Sequence, residues 1–389
     1  MVILEKPFVS GYLINTLIEN QAPVLKTQFA ESLPGAENLN LLPEKEFFRL
    51  YMETPGVGLY SNSEDSAAWV YKNIPESGLA SGVKAIKDKH SMREVFARLN
   101  PGYFFRKLSF NELQVMDVTM IPKPFVVKPV KGIASIGIRA VFSDDEWPEI
   151  LRQVEKDRKD YGDAFSDTVM DLDSFLVEAY IQGQEIAVDA FFDHDGNPVI
   201  VNIMEHDFAS AEDNSDRLYK SSVQIMRRYL QPVENYLSGV SAALGIKNFP
   251  MHMEMRITPE GEFIPIEINP MRFAGFCTTD IASYAYGINP YNCFLEQKSP
   301  DWNAIMEKGS DDVFVMGVID IPRNLDKHSV NFDYELLQSK LSEVLELRTM
   351  DYRIFPMAAF IFARSEKKNH SELQAWLHDD MSDVITKIG

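Results

Sequence analysis

Cysteine is nearly absent from the chain: of its 389 residues only Cys277 and Cys293 carry thiols. Two such residues cannot form a disulfide framework and lack the paired spacing of a zinc site, so the expected compartment is the reducing cytoplasm. Basic charge is also in short supply. There are 38 Lys and Arg against 58 Asp and Glu, a formal charge of −20. Nucleic acid is therefore not an expected partner, because binding its phosphates depends on Lys and Arg. A nucleotide stays open, since a few converging basic residues suffice. Long apolar runs are missing too. The opening "MVILEKPFVSGYLINTLIEN" is interrupted by Glu5, Lys6 and Pro7, and no later stretch is long enough to span a bilayer, so no membrane association is expected. Neither G-x-G-x-x-G after the first strand nor G-x-x-x-x-G-K-[ST] occurs, which disfavours a Rossmann dinucleotide site and a P-loop.

What is present is an ordinary globular composition, 45% hydrophobic and 25% charged, on a chain long enough for two or three cores. The first 27 residues read as strand, loop, amphipathic helix and strand, and "LYSNSEDSAAWVYKNI" as a loop entering a helix. "AIKDKHSMREVFARL" reads as a helix, "KPFVVKPVKGIASIGIRAVFS" as strand, Gly-containing loop and strand, and "DDEWPEILRQVEKDRKDYG" as a helix. Three strands follow in "SFLVEAYIQGQEIAVDAFFDHDGNPVIVNIMEH", the last two joined at Asp195-Gly196. Residues 207–222 are polar and aperiodic and read as a mobile loop before a long helix. The last 85 or so residues have α+β character without an assignable motif. The fold class is α/β (α+β).

Three segments carry chemistry. "FPMHMEMRITPEGEFIPIEINPM" reads as a hairpin, because "TPEG" suits a type I turn with Pro259 second and Gly261 fourth. If Thr258 faces Gly261, Glu254 lies opposite Pro265 and His252 opposite Glu267. His252, Glu254 and Arg256 then share a face with Phe263, Pro265, Glu267 and Asn269, and the methionines and isoleucines form the reverse, buried face. Glu254 and Glu267 become diagonal neighbours, and their repulsion is relieved by a cation. With the Asn269 amide they make an all-oxygen set suited to Mg²⁺ or Mn²⁺. A solvated face paired with Arg256 and nearby lysines is the competing reading of the hairpin alone. In "VVKPVKGIASIGI", Lys128 supplies charge, while Gly132, Gly137 and Ser135 suit close approach to a phosphate. In "VEAYIQGQE", Glu178 and Glu185 flank exposed backbone able to meet an exocyclic amine and ribose hydroxyls.

In order and spacing these segments resemble the ATP-grasp superfamily, especially its carboxylate-amine ligases, from about Lys87 to Gly275. The resemblance implies an ATP-grasp fold divided into an N-terminal pre-ATP-grasp domain (1–88), an ATP-grasp domain (89–300) and a C-terminal α+β extension (301–389). Within the second, the lid covers about 100–182 and the metal-binding subdomain about 183–300. It further implies that Lys89 and Lys128 contact the nucleotide phosphates under a lid loop holding Ser135 and Gly137. Glu178, Ala179 and Ile181 would form the adenine hinge, and Glu185 would hold the ribose. Glu254, Glu267 and Asn269 would bind the Mg²⁺ ions, and Arg272 would steady the reacting phosphoryl or acyl-phosphate group. Many members have Asn-x-Arg, whereas "NPMR" sets Arg272 one residue later.

The activity implied is ADP-forming ligation: a small-molecule carboxylate is activated as an acyl phosphate and captured by an amine. A carboxylase or carbamoyl-phosphate type of enzyme, a purine-pathway ligase and a non-catalytic nucleotide sensor are the alternatives. No biotinyl Met-Lys-Met motif is present, and a sensor has no need for every metal ligand. A homodimer is the default assembly for soluble enzymes. His206, His252 and Arg256 are weaker substrate-site candidates, and Cys277 reads as a packing residue rather than a nucleophile.

Overall fold

The computed structural model describes residues 1–131, 137–161, 171–210, 213, 215–322 and 325–387. Ser135, expected at the phosphates, lies outside them. The N-terminal region is a parallel four-stranded sheet in the order Asn40–Leu42, Pro23–Leu25, Val2–Ile3, Tyr60–Ser61. Parallel neighbours need crossovers, and helix Gly11–Glu19 provides the first, capped by the Ser10 side chain accepting from the Leu13 N–H. "AIKDKHSMREVFARL" is not one helix but parts of two, Gly78–Lys87 and Lys89–Phe96. Asp88 leaves helical geometry between them and caps the second, accepting from the Ser91 N–H at 2.8 Å.

An eight-stranded antiparallel sheet forms the body of the molecule. Its order is Phe263–Pro270, Phe249–Ile257, Gln184–Phe192, Pro198–Asp207, Leu218–Ser221, Val313–Asp320, Met357–Ser365, Val344–Thr349. Residues beyond 300 thus extend the same sheet that begins with the acidic hairpin. The strand Leu218–Ser221 corrects the expectation of a loop throughout 207–222: it pairs on both sides, with Pro198–Asp207 and Val313–Asp320. Pairing on two edges and burial of Leu218 and Tyr219 outweigh the polar composition around them. Helix Val223–Leu244 contributes Met226, Tyr229, Val233 and Leu237 to one core with Met251, Met253 and Met255 of the hairpin. A third sheet, in the order Phe105–Ser109, Asp171–Ala179, Phe125–Lys131, Arg139–Val141, packs with helix Trp147–Tyr161 around a separate core that includes Phe125, Val127, Trp147 and Phe175.

Candidate active site

The acidic hairpin turns as its sequence predicts: the Gly261 N–H donates to the Thr258 carbonyl at 2.9 Å. Gly261 then adopts φ +86°, so Thr258 pairs with Glu262 and not with Gly261 itself. A second irregularity lies between Glu254 and Met255, where Ile266 is the extra residue. Together they replace the expected register. Glu254 stands directly opposite Glu267, and His252 opposite Asn269. Phe263 and Pro265, expected on the acidic face, oppose Ile257 and Met255, while Ile264 opposes Arg256. The bulge therefore sharpens the predicted feature, since directly opposed Cβ atoms lie only about 5 Å apart.

A cavity of about 430 Å³ opens over this pair, and Lys89, Lys128, Glu254, Glu267, Asn269 and Arg272 all line it. These six candidates, scattered over 184 positions from Lys89 to Arg272 if both ends are counted, are thus brought to one place. Lys89 begins helix Lys89–Phe96, where a cation opposes the helix dipole, and its Nζ lies 3.0 Å from Glu267 Oε1. Burial pulls the Lys89 ammonium down, but Glu267 outweighs it and raises it. The hairpin carboxylates therefore already hold one cation near them. Among the described residues no three His, Cys, Asp or Glu side chains form a metal cluster. Two carboxylates and an amide nevertheless fit Mg²⁺, which binds through one or two carboxylates and fills its other positions with phosphate oxygens and water.

Arg272 is steadied by a residue with no motif of its own. Glu64, at the start of the short helix Glu64–Ser66, meets Arg272 Nη2 at 2.9 Å and Lys87 Nζ at 3.3 Å. A further buried link ties the hairpin to the loop after it. Asp189 Oδ1 accepts from the Ala274 N–H at 2.8 Å and meets His252 Nδ1 at 2.8 Å, and His252 Nε2 lies 3.6 Å from Glu254. Burial lowers the His252 imidazolium, but Asp189 and Glu254 more than compensate and push it up to about 9. The loop also holds three residues in the left-handed region, Met271, Phe276 and Cys277. Arg348, from strand Val344–Thr349, caps it by donating to the carbonyls of Phe276 at 2.8 Å and Cys277 at 3.2 Å, and pairs with Asp280 at 3.0 Å. Cys277 is buried, which raises its thiol to about 11 and agrees with a packing role. Glu64, Asp189 and Arg348 carry no sequence signal, because each acts through a partner distant in the chain.

The expected nucleoside side differs. Glu178 is buried, and its carboxylate meets Lys128 Nζ at 2.6 Å, Arg93 Nε at 2.7 Å and Arg93 Nη2 at 3.1 Å. Burial alone raises the carboxyl, but Lys128 and Arg93 overcome this and hold it down to about 2. Lys128 is lowered, chiefly by burial. Glu185 is enclosed by His206 Nδ1 at 2.8 Å and Arg256 Nε at 2.9 Å. Arg256 also donates to the Ile181 carbonyl at 2.8 Å, and the Tyr103 hydroxyl to that of Ala179 at 2.7 Å. Gly183 fits between them because a Cβ there would stand 1.9 Å from the Ile257 carbonyl oxygen. None of Glu178, Ala179, Ile181 and Glu185 lines the cavity. Gly137 lies in the turn before Arg139–Val141, and its neighbour Ile138 reaches the cavity wall.

Comparison with known proteins agrees with this architecture. Residues 121–280 match the family described as the ATP-grasp domain. D-alanine–D-alanine ligase of Anaplasma marginale is 35% identical over 72 residues, 18% of this chain and only 17% of that protein's length. Among solved structures, an L-amino acid ligase from Bacillus licheniformis superposes with TM-score 0.65 at 17% identity, covering 100% of this chain and 98% of that one. N5-carboxyaminoimidazole synthase from Aspergillus clavatus gives 0.64 at 14%, covering 98% of each chain. A biotin carboxylase from Campylobacter jejuni gives 0.60 at 12%, covering 100% of this chain and 92% of that one. The chain has the ATP-grasp fold, and residues 121–280 match the ATP-grasp domain family.

Proposed function

We propose that the protein is an ATP-dependent, ADP-forming ligase that activates a carboxylate as an acyl phosphate and joins it to an amine. The observation that carries this reading is the convergence of Lys89, Lys128, Glu254, Glu267, Asn269 and Arg272 on one cavity. Glu254, Glu267 and Asn269 would hold Mg²⁺, which would supply positive charge to offset that of the phosphates. Lys89 and Lys128 orient the terminal phosphoryl group for in-line attack by the substrate carboxylate. Arg272, fixed by Glu64, holds the resulting acyl phosphate while an amine displaces inorganic phosphate. Glu178, Ala179, Ile181 and Glu185 remain the proposed nucleoside hinge, with Glu178 acting through Arg93 and Lys128. Ser135 and Gly137 belong to the proposed phosphate loop.

We place the protein in the cytoplasm on its thiol content; among the described residues no helix is long and apolar enough to cross a membrane. The test is a screen for coupled ADP and phosphate release with Mg·ATP, offering carboxylates alone and then in pairs with amines. Release that requires a pair, with the condensed product seen by mass spectrometry, supports a ligase. Release with bicarbonate alone supports the carboxylase alternative. Nucleotide binding without turnover across the panel supports a sensor.

A further inference from the structure

The cavity has more wall than phosphate and metal chemistry needs. One side carries Lys89, Lys128 and Arg272. Another is largely apolar and comes from the middle and C-terminal strands of the large sheet, with Tyr219, Met316, Val318 and Phe360 belonging to one hydrophobic cluster that also packs Phe276; Asp320, at the end of the strand that carries Met316 and Val318, lines the cavity as well. Asp216 also lies on the wall, accepting from the Tyr219 hydroxyl at 2.8 Å. It is exposed, so its carboxylate is open to a ligand. Asp216 does not join Glu254 and Glu267 in a metal cluster, since no such group of three exists among the described residues. The residues assigned to the nucleoside are elsewhere, so this volume of about 430 Å³ is left for the phosphate end and a substrate.

We propose that the surface of Tyr219, Phe276, Met316, Val318 and Phe360 is the side-chain pocket for an α-amino acid substrate whose side chain is uncharged and apolar. This rests on the ligase reading. A free amino acid is a zwitterion, and the cavity offers cations for its carboxylate, a carboxylate at Asp216 for its ammonium and an apolar surface for the remainder. That layout excludes substrates lacking a hydrophobic part, because they leave the apolar wall facing water, and acidic side chains, which would bring a charge onto it. Residues of the C-terminal strands thereby acquire a function, which is to select the substrate while the hairpin conducts the chemistry.

The experiment is calorimetric titration of the full chain, in the presence of Mg²⁺ and a non-hydrolysable ATP analogue, with leucine, methionine, glycine and glutamate. Leucine or methionine should bind about tenfold or more tightly than glycine or glutamate. Val318→Phe, which narrows the pocket, should weaken leucine binding by about tenfold while the affinity for the analogue stays within about twofold. Equal or tighter binding of glycine or glutamate overturns the proposal, as does unchanged leucine binding in a Val318→Phe protein that retains nucleotide affinity. The unmodified protein decides by its ligand panel even if the variant does not fold. Leucine binding without ADP release from any carboxylate and amine pair keeps the pocket and removes the ligase reading. ADP release only from pairs without an apolar amino acid keeps the ligase and removes the pocket.

Discussion

Four glutamates on strands, Glu178, Glu185, Glu254 and Glu267, look alike in sequence but meet opposite fates in the fold. On the nucleoside side the Glu178 side chain is 4% exposed and held by Arg93 and Lys128, and Glu185 at 8% is held by His206 and Arg256. On the hairpin side Glu254 and Glu267 keep 26% and 36% of their side chains exposed, facing a cavity and each other. The first pair is committed to internal cations and shapes the site from behind. The second pair is available, and its repulsion is offset at the edges by Lys89 beside Glu267 and His252 beside Glu254. Burial and partner count, which sequence spacing does not encode, separate a carboxylate held by internal cations from one open to the cavity.

Breaking the committed side should have the largest effect. Glu178→Gln leaves Arg93 and Lys128 buried without their counter-charge, and is expected to cost about 3–5 kcal/mol in chemical denaturation. The sign with pH follows from the depressed titration of Glu178. Its stabilisation is complete above the ordinary value of 4.5 and is lost as pH falls through about 2. The native protein should therefore lose stability across that acid window, and the Glu178→Gln protein should lose less over the same range. A variant as stable as the parent at pH 7 would show that the internal pair is replaceable.

On the open side the same substitution should act on chemistry. Glu267→Gln is expected to lower turnover by more than about 100-fold and to weaken Mg²⁺-dependent nucleotide binding, with stability changed by less than about 1 kcal/mol. Turnover in the ligase screen, Mg²⁺ titration and denaturation read these effects separately. Unchanged turnover would remove Glu267 from the metal set.

This contrast also marks what the sequence made legible. Glu254, Glu267 and Asn269 stood out because strand alternation places polar residues on one face whatever the fine register. The register itself was misplaced, since the left-handed Gly261 and the bulged Ile266 each add a residue that alternation cannot announce. Most larger elements followed from apolar periodicity. Leu218–Ser221 did not, being a four-residue strand defined by neighbours on both sides, one of them far along the chain. Arg348 and Glu64 were invisible for the same reason: their meaning lies in a tertiary contact.

Arg348 extends the comparison to the far edge of the large sheet. It is as enclosed as Glu178, between the rings of Phe362 and Phe8 at 4.7 and 5.1 Å from their centroids, yet what it holds is the loop carrying Arg272. Arg348→Met combined with Asp280→Asn removes the clamp without leaving a buried unpaired acid, since Glu346, the other partner of Arg348 at 3.1 Å, is one-third exposed. The expected result is a loss of about tenfold in kcat/KM for the carboxylate substrate, with nucleotide affinity within about twofold, because loop placement and not nucleotide contact is disturbed. Equal losses for both ligands would point to general destabilisation instead.

The smallest effect tests whether the open side is exchangeable. Lys89 sits on Glu267, so in the proposed mechanism the lysine and a metal ion would compete for that carboxylate. Lys89→Met keeps most of the side-chain volume and leaves behind a glutamate that is already partly in water. Stability should change by less than about 1 kcal/mol, in contrast to the several expected at Glu178. Mg²⁺ affinity without nucleotide should rise by a few-fold, since the competing cation is gone, while affinity for Mg·ATP should fall because a phosphate contact is lost. Opposite movement of the two affinities identifies Lys89 as a placeholder for the metal. A fall in both would mean that it orders the hairpin, and the division between committed and available carboxylates would then have to be drawn elsewhere.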